Sequence, residues 1–305
     1  MMNNIILPNG SEISNIVLGT GGPISSDELL RLLDKYYELG GRTVDTARMY
    51  DQLGEKSESV IGRWLRTRGV RADVTLVTKG GFPRERMTYE ALHDDIERSL
   101  DALKTVPDLY LFHRDNPDVP VDEFVDIASD FIDSGYTRLY GVSNWDNDRI
   151  TAASDYAEGC AKPAPSLSQI QWSLAETTGK RAGDETLICM NKVRRAQYEQ
   201  SGMPIMAFAP QAKGFFSKFA SGAPFSDKVI SRFLSDSNLC RAERVSNLAD
   251  SLGVSAAAIA LGYIISSGIR AACVVGCRNE EQLADSMTAL EFRLDTNKVK
   301  WLEGE

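Results

Sequence analysis

The chain has 305 residues, with 34 Lys and Arg against 43 Asp and Glu, a formal net charge of −9. Hydrophobic residues make up 43% and charged residues 25%, a balance that permits a large buried core and excludes disordered, collagenous and low-complexity classes. The acidic excess excludes broad phosphate-backbone binding, so no nucleic-acid partner is expected and any anionic ligand must be held by local cations or backbone N–H groups.

In chain order, the first expected element is a hairpin. Ile5-Ile6-Leu7 and residues 13–18 flank Pro8-Asn9-Gly10, and an Asn-Gly pair is a strong tight-turn signal. The sequon Asn9-Gly10-Ser11 therefore reads as a turn, not a glycan site. Strand-like runs rich in Val, Ile, Leu and Tyr follow at Ile16–Gly19, Thr43–Asp45, 74–78, 108–112, 138–142, 167–172, 205–209 and 272–275. Between them the apolar residues take helical spacing. Ser25-Ser26-Asp27 precede Glu28-Leu29-Leu30 as a cap, and Gly40-Gly41 stop that helix. Val60, Ile61, Trp64 and Leu65 stop before Gly69. Leu92, Ile96, Leu100 and Leu103 form the next stripe. Phe124, Val125, Ala128, Phe131 and Ile132 stop at Gly135, and Leu283, Met287 and Leu290 form the last helix before the tail.

The count is about eight strands alternating with about eight helices, at the spacing of one βα unit. Residues 213–241 break the rhythm with Gly, Pro, Ser and Asp and are expected to be a loop insertion after strand seven. No linker divides the chain, so one domain over 1–305 is expected. Of the two architectures built on this alternation, the doubly wound sheet and the eight-fold barrel, the count favours a single (β/α)8 TIM barrel. The first strand-to-helix turn, Gly19-Thr20-Gly21-Gly22-Pro23, also lacks G-x-G-x-x-G. The odd, scattered cysteines Cys160, Cys189, Cys240, Cys273 and Cys277 read as reduced thiols. With no apolar run of ~18 residues and no signal-peptide pattern at the start, a cytoplasmic protein without a membrane partner is expected.

Buried parallel strands should be apolar, yet several of these end in polar groups. They are Asp45, Lys79, His113, the pair Ser143-Asn144, and Gln169 with Gln171. In a barrel all these ends open on one mouth, where active sites lie, so residues about 34 apart converge. Tyr50, five residues past Asp45, can lean over the same mouth. A phenol is a weak acid, of pKa about 10, and a nearby Lys⁺ should lower that value. Asp45 can hold and aim Lys79. The expected chemistry is a Tyr50 donor that protonates a developing alkoxide, with a neutral His113 orienting the carbonyl.

These residues carry a resemblance to the aldo-keto reductases that spans nearly the whole chain. Gly41-Arg42-Thr43-Val44-Asp45-Thr46-Ala47, then Tyr50, then Gly54-Glu55-Lys56-Ser57-Glu58-Ser59-Val60-Ile61-Gly62 resemble the family's first signature. Val77-Thr78-Lys79-Gly80, Leu111-Phe112-His113 and Tyr140-Gly141-Val142-Ser143-Asn144 match later landmarks in order. The resemblance implies a barrel whose bottom is closed by the N-terminal hairpin. It implies a catalytic tetrad of Asp45, Tyr50, Lys79 and His113, a small carbonyl substrate, and NADPH as cofactor (less often NADH), bound extended. Gly19, Thr20 and Asp45 match contacts beside the nicotinamide. Ser143, Asn144 and Gln169 match carboxamide contacts, and Phe208 stands where an aromatic, usually tyrosine, stacks on the ring. Pro210, Gln211, Lys213 and Gly214 fall in the loop around the pyrophosphate, and Gly276, Arg278, Gln282 and Asp285 in the adenosine segment. Departures are Ala209 where many members have serine, Gly276 and Cys277 where a serine or lysine often meets the 2′-phosphate, and Gln282 where arginine is frequent. Arg278 is the remaining cation there, so NADP is favoured over NAD. The substrate pocket is expected from loops near Met49, Phe82, Trp145, Trp172 and 214–241.

Other features have plainer readings. Cys273 and Cys277 lack metal-ligand spacing, and no metal is expected. His93 reads as a solvated helix residue, and Arg63, Arg66, Arg68 and Arg71 as a solvated face and loop. Asp94, Asp95 and Glu97 suit the start of a helix. Trp145 and Trp172 fit core and pocket equally well. Two rival functions fit the same fold: a nucleotide-sensing accessory protein with slow chemistry, and a barrel lyase or hydrolase without a nicotinamide.

Overall fold

Asn9 and Gly10 fold the chain back on itself at its start. Gly10 has φ +84°, a conformation glycine adopts without steric penalty, and its N–H closes the turn on Leu7 O at 2.9 Å. This pairs β1 (Ile5–Ile6) with β2 (Glu12–Ile13). The computed structural model describes residues 4–305. The chain continues through β3 (Ile16–Gly19), α1 (Ser26–Glu38), β4 (Thr43–Asp45), a small hairpin β5 (Asp51–Gln52) and β6 (Glu55–Lys56), α2 (Ser57–Arg68), β7 (Thr75–Gly80), α3 (Tyr89–Leu103), β8 (Leu109–Phe112), α4 (Val121–Asp133), β9 (Leu139–Ser143) and α5 (Asn147–Gly159). Next come β10 (Ser168–Gln171), α6 (Gly179–Ala182), α7 (Lys192–Ser201), β11 (Ile205–Phe208), α8 (Phe215–Ser221), α9 (Asp227–Phe233), α10 (Asp236–Leu252), α11 (Ala256–Ile265), β12 (Ala271–Val275), α12 (Glu280–Met287) and α13 (Thr296–Glu303).

The eight strands β3, β4, β7, β8, β9, β10, β11 and β12 pair in parallel and close into a barrel, β12 returning to β3. Alternation along each strand divides the core in two. Val17, Val77, Leu109, Leu111, Leu167, Met206 and Ala272 turn inward and pack with Ile5, Leu7 and Ile13 of the first hairpin. That hairpin plugs one end of the barrel. Ile16, Leu18, Leu76, Ile205 and Val275 turn outward, against the helices. Above the apolar inward layer, the next inward positions are Gly19, Asp45, Lys79, His113, Ser143 and Gln169. The register places Gly19 beside Asp45 and Ser143 beside Gln169.

The helices start and stop where their caps fall. Ser25 and Glu28 form the capping box of α1. Gly41 follows because a Cβ there would lie 2.1 Å from the Tyr36 ring. Three expectations change. Residues 213–241 are largely helical, carrying α8, α9 and the start of α10, not a loop. The tail holds α13, whose Val299 and Leu302 are buried, so the helix with Leu283 and Met287 is not the last. Its expected final position, Leu290, belongs to a 3-10 turn. Trp145 and Trp172 are buried at 1% and 2% exposure and pack in the core, and Trp172 also lines a cavity. Trp145 stacks on Phe112 and gives its indole N–H to Arg114 O at 3.1 Å.

Several polar side chains are also less solvated than the sequence suggests. His93 is half-buried among Tyr89, Phe131 and Tyr136, with Nε2 3.0 Å from Asp130. Asp95 is buried, accepting from Gly81 N and Arg86. Arg71 reaches the carbonyls of Val74 and Val106 and the Asp108 carboxylate. Among the described residues no single helix is long and apolar enough to cross a membrane.

Candidate active site

The polar ends of β4 and β7 meet inside the barrel mouth. Lys79 lies two residues beyond Val77, the register partner of Asp45, so its long side chain folds back along the strand. Its ammonium is fully buried, 2.8 Å from Asp45 Oδ2 and 2.6 Å from Thr46 O. A buried ammonium without such partners would be strongly destabilising. The other Asp45 oxygen accepts from Gln169 Nε2 at 2.9 Å, across the barrel. The carboxylate is thereby held at both ends and aims the lysine.

Tyr50 approaches this pair from the loop after β4. Its N–H bonds Ala47 O at 3.0 Å, and its carbonyl accepts from Ser57 N at 3.2 Å. The ring lies under the Lys79 ammonium at 5.2 Å and meets the edge of His113 at 6.0 Å. Gly21 makes room: a Cβ there would stand 2.9 Å from Tyr50 Cζ. The expected lowering of the phenol pKa does not hold. Burial pushes it up, Asp45 adds to that, and the pulls of Lys79 and Arg114 do not outweigh them. Tyr50 is therefore a neutral phenol with a proton to give.

His113 is buried, and its imidazole is held well below its ordinary value by burial, then by the charges of Lys79 and Arg114. It is neutral at physiological pH. Its Nδ1 is buried with no hydrogen-bond partner among the described residues. Phe82 packs on the ring at 5.4 Å, and the Arg114 guanidinium lies over Phe82 at 4.8 Å. Arg114 is in turn clasped by Asp184 and Thr186. Sequence reasoning missed this second cation, although it adjoins His113.

The other predicted residues fall into three groups. Gly19 and Thr20 border the tetrad, and Gly19 leaves no room for a side chain: a Cβ there would stand 2.7 Å from Val274 Cγ1. Thr20 is buried, accepting from Ser57 Oγ at 2.7 Å and, through its carbonyl, from Gln52. Asn144, at φ +59°, joins the mouth by Nδ2 bonds to Ser143 Oγ and His113 O and by its N–H to Gln169 O.

The second group follows β11. Phe208 is half-buried at the strand end. After it Ala209, Ala212 and Lys213 all have φ near +50°, followed by Gly214 at +80°. Non-glycine residues so arranged are strained, and such strain gathers at ligand clamps. Gln211 ties this turn to α12 by a 3.0 Å bond to Ser286 Oγ.

The third group runs from the end of β12 into α12. Gly276 and Arg278 are exposed, Arg278 N bonds Gln282 Oε1 at 3.0 Å, and Asp285 accepts from Ser255 Oγ at 2.8 Å. Arg278 lines a small cavity of about 250 Å³ with Arg31, Glu28 and Glu280.

Two further cations were hidden by the expectation of a loop at 213–241. Lys228 and Arg232 stand four residues apart on α9, hence on one face, and their charges act on Lys213. Loss of water and then those two charges push the Lys213 ammonium down. Arg232 is half-buried, its Nε has no hydrogen-bond partner, and none of the three forms an ion pair among the described residues. Three unpaired cations beside a strained backbone make a cradle for an anion. This cradle suits the phosphates of a ligand, and the polar groups of Ser143, Asn144 and Gln169 at the mouth suit a polar ring group. A nicotinamide dinucleotide has both.

Comparison with known proteins identifies the lineage. The description "Aldo/keto reductase family" matches residues 15–304. The aldo-keto reductase ausK of Aspergillus calidoustus is 26% identical, over 92% of this chain and 73% of its own length. A putative aryl-alcohol dehydrogenase, AAD14 of Saccharomyces cerevisiae, is 25% identical over 98% of this chain and 82% of its own. An aldo/keto reductase from Klebsiella pneumoniae, solved with NADP and acetate, shares the fold with a TM-score of 0.73 at 22% identity, covering 100% of this chain and 95% of that one. The chain belongs to the aldo/keto reductase family and is an oxidoreductase of carbonyl compounds.

Proposed function

We propose that the protein is an NADPH-dependent reductase of aldehydes or ketones, in which Tyr50 gives the proton. The observation that carries this reading is the convergence of Tyr50, a fully buried Lys79–Asp45 pair and a neutral His113 on one mouth. The nicotinamide, when bound, supplies the hydride.

The chain's own residues do the rest. His113, neutral, donates to the carbonyl oxygen and fixes its orientation. Tyr50 stays protonated until negative charge grows on that oxygen, then transfers its proton. The Lys79 charge stabilises the phenolate left behind, and Asp45 keeps the ammonium in place. Ser143, Asn144 and Gln169 would hold the carboxamide, and Phe208 would face the ring. Pro210, Gln211, Lys213 and Gly214, with Lys228 and Arg232, would hold the pyrophosphate. Gly276, Arg278, Gln282 and Asp285 would hold the adenosine end, and the Arg278 cation supports NADP over NAD.

Met49 and Leu53 are exposed in the loop and hairpin around Tyr50, and half-buried Phe82 packs on His113. This apolar rim, with the likeness to a putative aryl-alcohol dehydrogenase, favours aromatic aldehydes. The scattered, unpaired thiols suit a reducing cytoplasm, and one closed barrel suits a single functional domain over 1–305.

The test is a titration of tryptophan fluorescence with NADPH and NADH, followed by NADPH oxidation with a panel of aromatic and aliphatic aldehydes. NADPH binding in the micromolar range and turnover on the panel are expected. A folded protein that binds neither nucleotide would overturn the reading. Tight NADPH retention with no turnover would favour the nucleotide-sensing alternative.

A further inference from the structure

The first turn of α2 lies where two parts of the site join. It carries Glu58, whose side chain is fully buried. No step of the proposed reaction uses this carboxylate, and a charge so placed persists only with good partners. It accepts from Thr78 Oγ1 at 2.6 Å and from Arg48 Nη1 at 3.3 Å. Its place in the first turn of a helix also favours the charged form. Burial pushes the carboxyl up, and the Thr78 hydroxyl, the Ser99 hydroxyl and then the Arg48 guanidinium pull it only part of the way back.

The two partners lie on either side of the proton donor's support. Thr78 immediately precedes Lys79 on β7, its side chain turned outward while that of Lys79 turns in. Arg48 sits midway between Asp45 and Tyr50, and its N–H bonds Lys79 O at 2.8 Å. Arg48 is thus fixed twice to the segment that carries the lysine, once by its backbone and once through Glu58 and Thr78. Tyr50 hangs from this segment by its N–H on Ala47 O, and from α2 by Ser57 N on its carbonyl. Apolar packing could fill the same space, but it would let the loop slide. A directional ion pair sets its depth.

We infer that the Glu58–Arg48 pair positions Tyr50 over Lys79 and so governs the proton-transfer step without touching a reacting atom. Both are positioning residues, and the inference rests on the reading of Tyr50 as the donor.

The experiment compares Glu58→Gln, Arg48→Met, Arg48→Lys and the Glu58→Gln/Arg48→Met double variant with wild type and Tyr50→Phe. The substrates are NADPH and nitrobenzaldehyde, whose electron-poor carbonyl asks little of binding. NADPH affinity is read separately by tryptophan quenching, and Tm by thermal melting. Misplacing a reacting group by a fraction of its contact distance can lower kcat about 10- to 100-fold. Losses in that range are expected in Glu58→Gln and Arg48→Met, with KM for the aldehyde and NADPH affinity nearly unchanged. The double variant should be no slower than the slower single, and Arg48→Lys should recover much of the rate. A purely structural pair would lower Tm and leave kcat per folded molecule intact. That outcome, or additive losses in the double variant, overturns the inference. If Glu58→Gln does not fold, Arg48→Met decides alone, because Arg48 is only half-buried. Wild-type inactivity, or Tyr50→Phe turning over like wild type, would instead overturn the reading of Tyr50 itself.

Discussion

Two regions of the barrel mouth hold charge in opposite ways. Around β4, β7 and β8 the buried charges satisfy one another: Lys79 with Asp45, Asp45 with Gln169, Glu58 with Arg48 and Thr78. After β11 the charges do not. Lys213, Lys228 and Arg232 gather without an ion pair among the described residues, with Asp184 acting on Arg232 only at longer range, beside a backbone held at positive φ. The charges of the first region are paired and those of the second are not. A preorganised set of groups suits bond-making, where reorganisation during the reaction would slow it. An unsatisfied set of cations suits a ligand that arrives with its own negative charge. Removal of a paired charge in the first region should therefore act on catalysis and stability together, and removal of a cation in the second mainly on ligand affinity.

The largest effect expected lies at the centre of the satisfied region. Lys79→Met leaves Asp45 buried with its main partner gone, a change that costs about 3–5 kcal/mol. It also removes the charge that stabilises the Tyr50 phenolate. Turnover should fall to background and Tm should drop sharply. Chemical denaturation and NADPH oxidation measure both on one sample. Retained turnover would separate Lys79 from the chemistry and break the contrast at its strongest point.

Tyr50→Phe comes next. It keeps the ring and its contact with His113 and removes only the proton. General acid catalysis contributes about 10²–10⁴ in rate, so kcat should fall by that factor while NADPH affinity and Tm stay close to wild type. A loss of cofactor affinity as large as the loss of kcat would mean that Tyr50 shapes the binding site and is not the donor.

The two regions also differ in how readily the sequence reveals them. Asp45, Lys79 and His113 stand out because a buried parallel strand should be apolar to its end, so one polar residue per unit at the same inward phase has no packing explanation. Tyr50 follows from its spacing to Asp45. What the sequence does not carry is the degree of burial, and so the direction of the Tyr50 pKa was misjudged: a lysine nearby is visible in the chain, the loss of water around the phenol is not. In the second region the helices themselves are obscured. α8 and α9 have seven residues each, too few to show a periodic stripe. The Gly222, Pro224 and Ser226 between them read as loop punctuation, although Gly222 and Ser226 are the caps of those helices. Once α9 is taken for a loop, the i, i+4 relation of Lys228 and Arg232 disappears, and with it the cation cluster. α13 escapes notice similarly, since Val299 and Leu302 are its only buried residues.

The unsatisfied region gives a third prediction, of intermediate size. Charge-assisted hydrogen bonds contribute about 1.5–3 kcal/mol each, so Arg232→Ala or Lys213→Ala alone should weaken NADPH binding by about 10- to 100-fold, and the two combined by more. The melting temperature without ligand should hold or rise, because like charges that repel one another have been removed. The affinity of wild type should also fall more steeply with salt than that of the double variant. A lower Tm with unchanged NADPH affinity would place these cations in the fold instead of the ligand site.

The smallest effect returns to the satisfied region and concerns a proton that His113 refuses. An unperturbed histidine titrates near 6.5, whereas burial, reinforced by Lys79 and Arg114, holds His113 well below that in the folded protein. Below about pH 6.5 the unfolded chain takes up a proton that the folded chain does not, so stability falls as the pH is lowered and is regained as it rises. One proton corresponds to a slope of up to about 1.4 kcal/mol per pH unit. Glu58 and Asp115, whose carboxyls burial pushes up, act with the opposite sign at lower pH, so total stability does not isolate the histidine. The difference between wild type and His113→Asn does, because the other groups are common to both. Denaturant unfolding between pH 5 and 7 should show a steeper fall in wild type than in the variant, which lacks the titrating ring. Parallel curves would mean that His113 takes up its proton in the folded state as readily as in the unfolded chain, and so is protonated below about pH 6.5. The imidazolium would then add a second positive charge beside Lys79, and the balance of one carboxylate, one ammonium, a neutral phenol and a neutral imidazole on which the satisfied region depends would not hold.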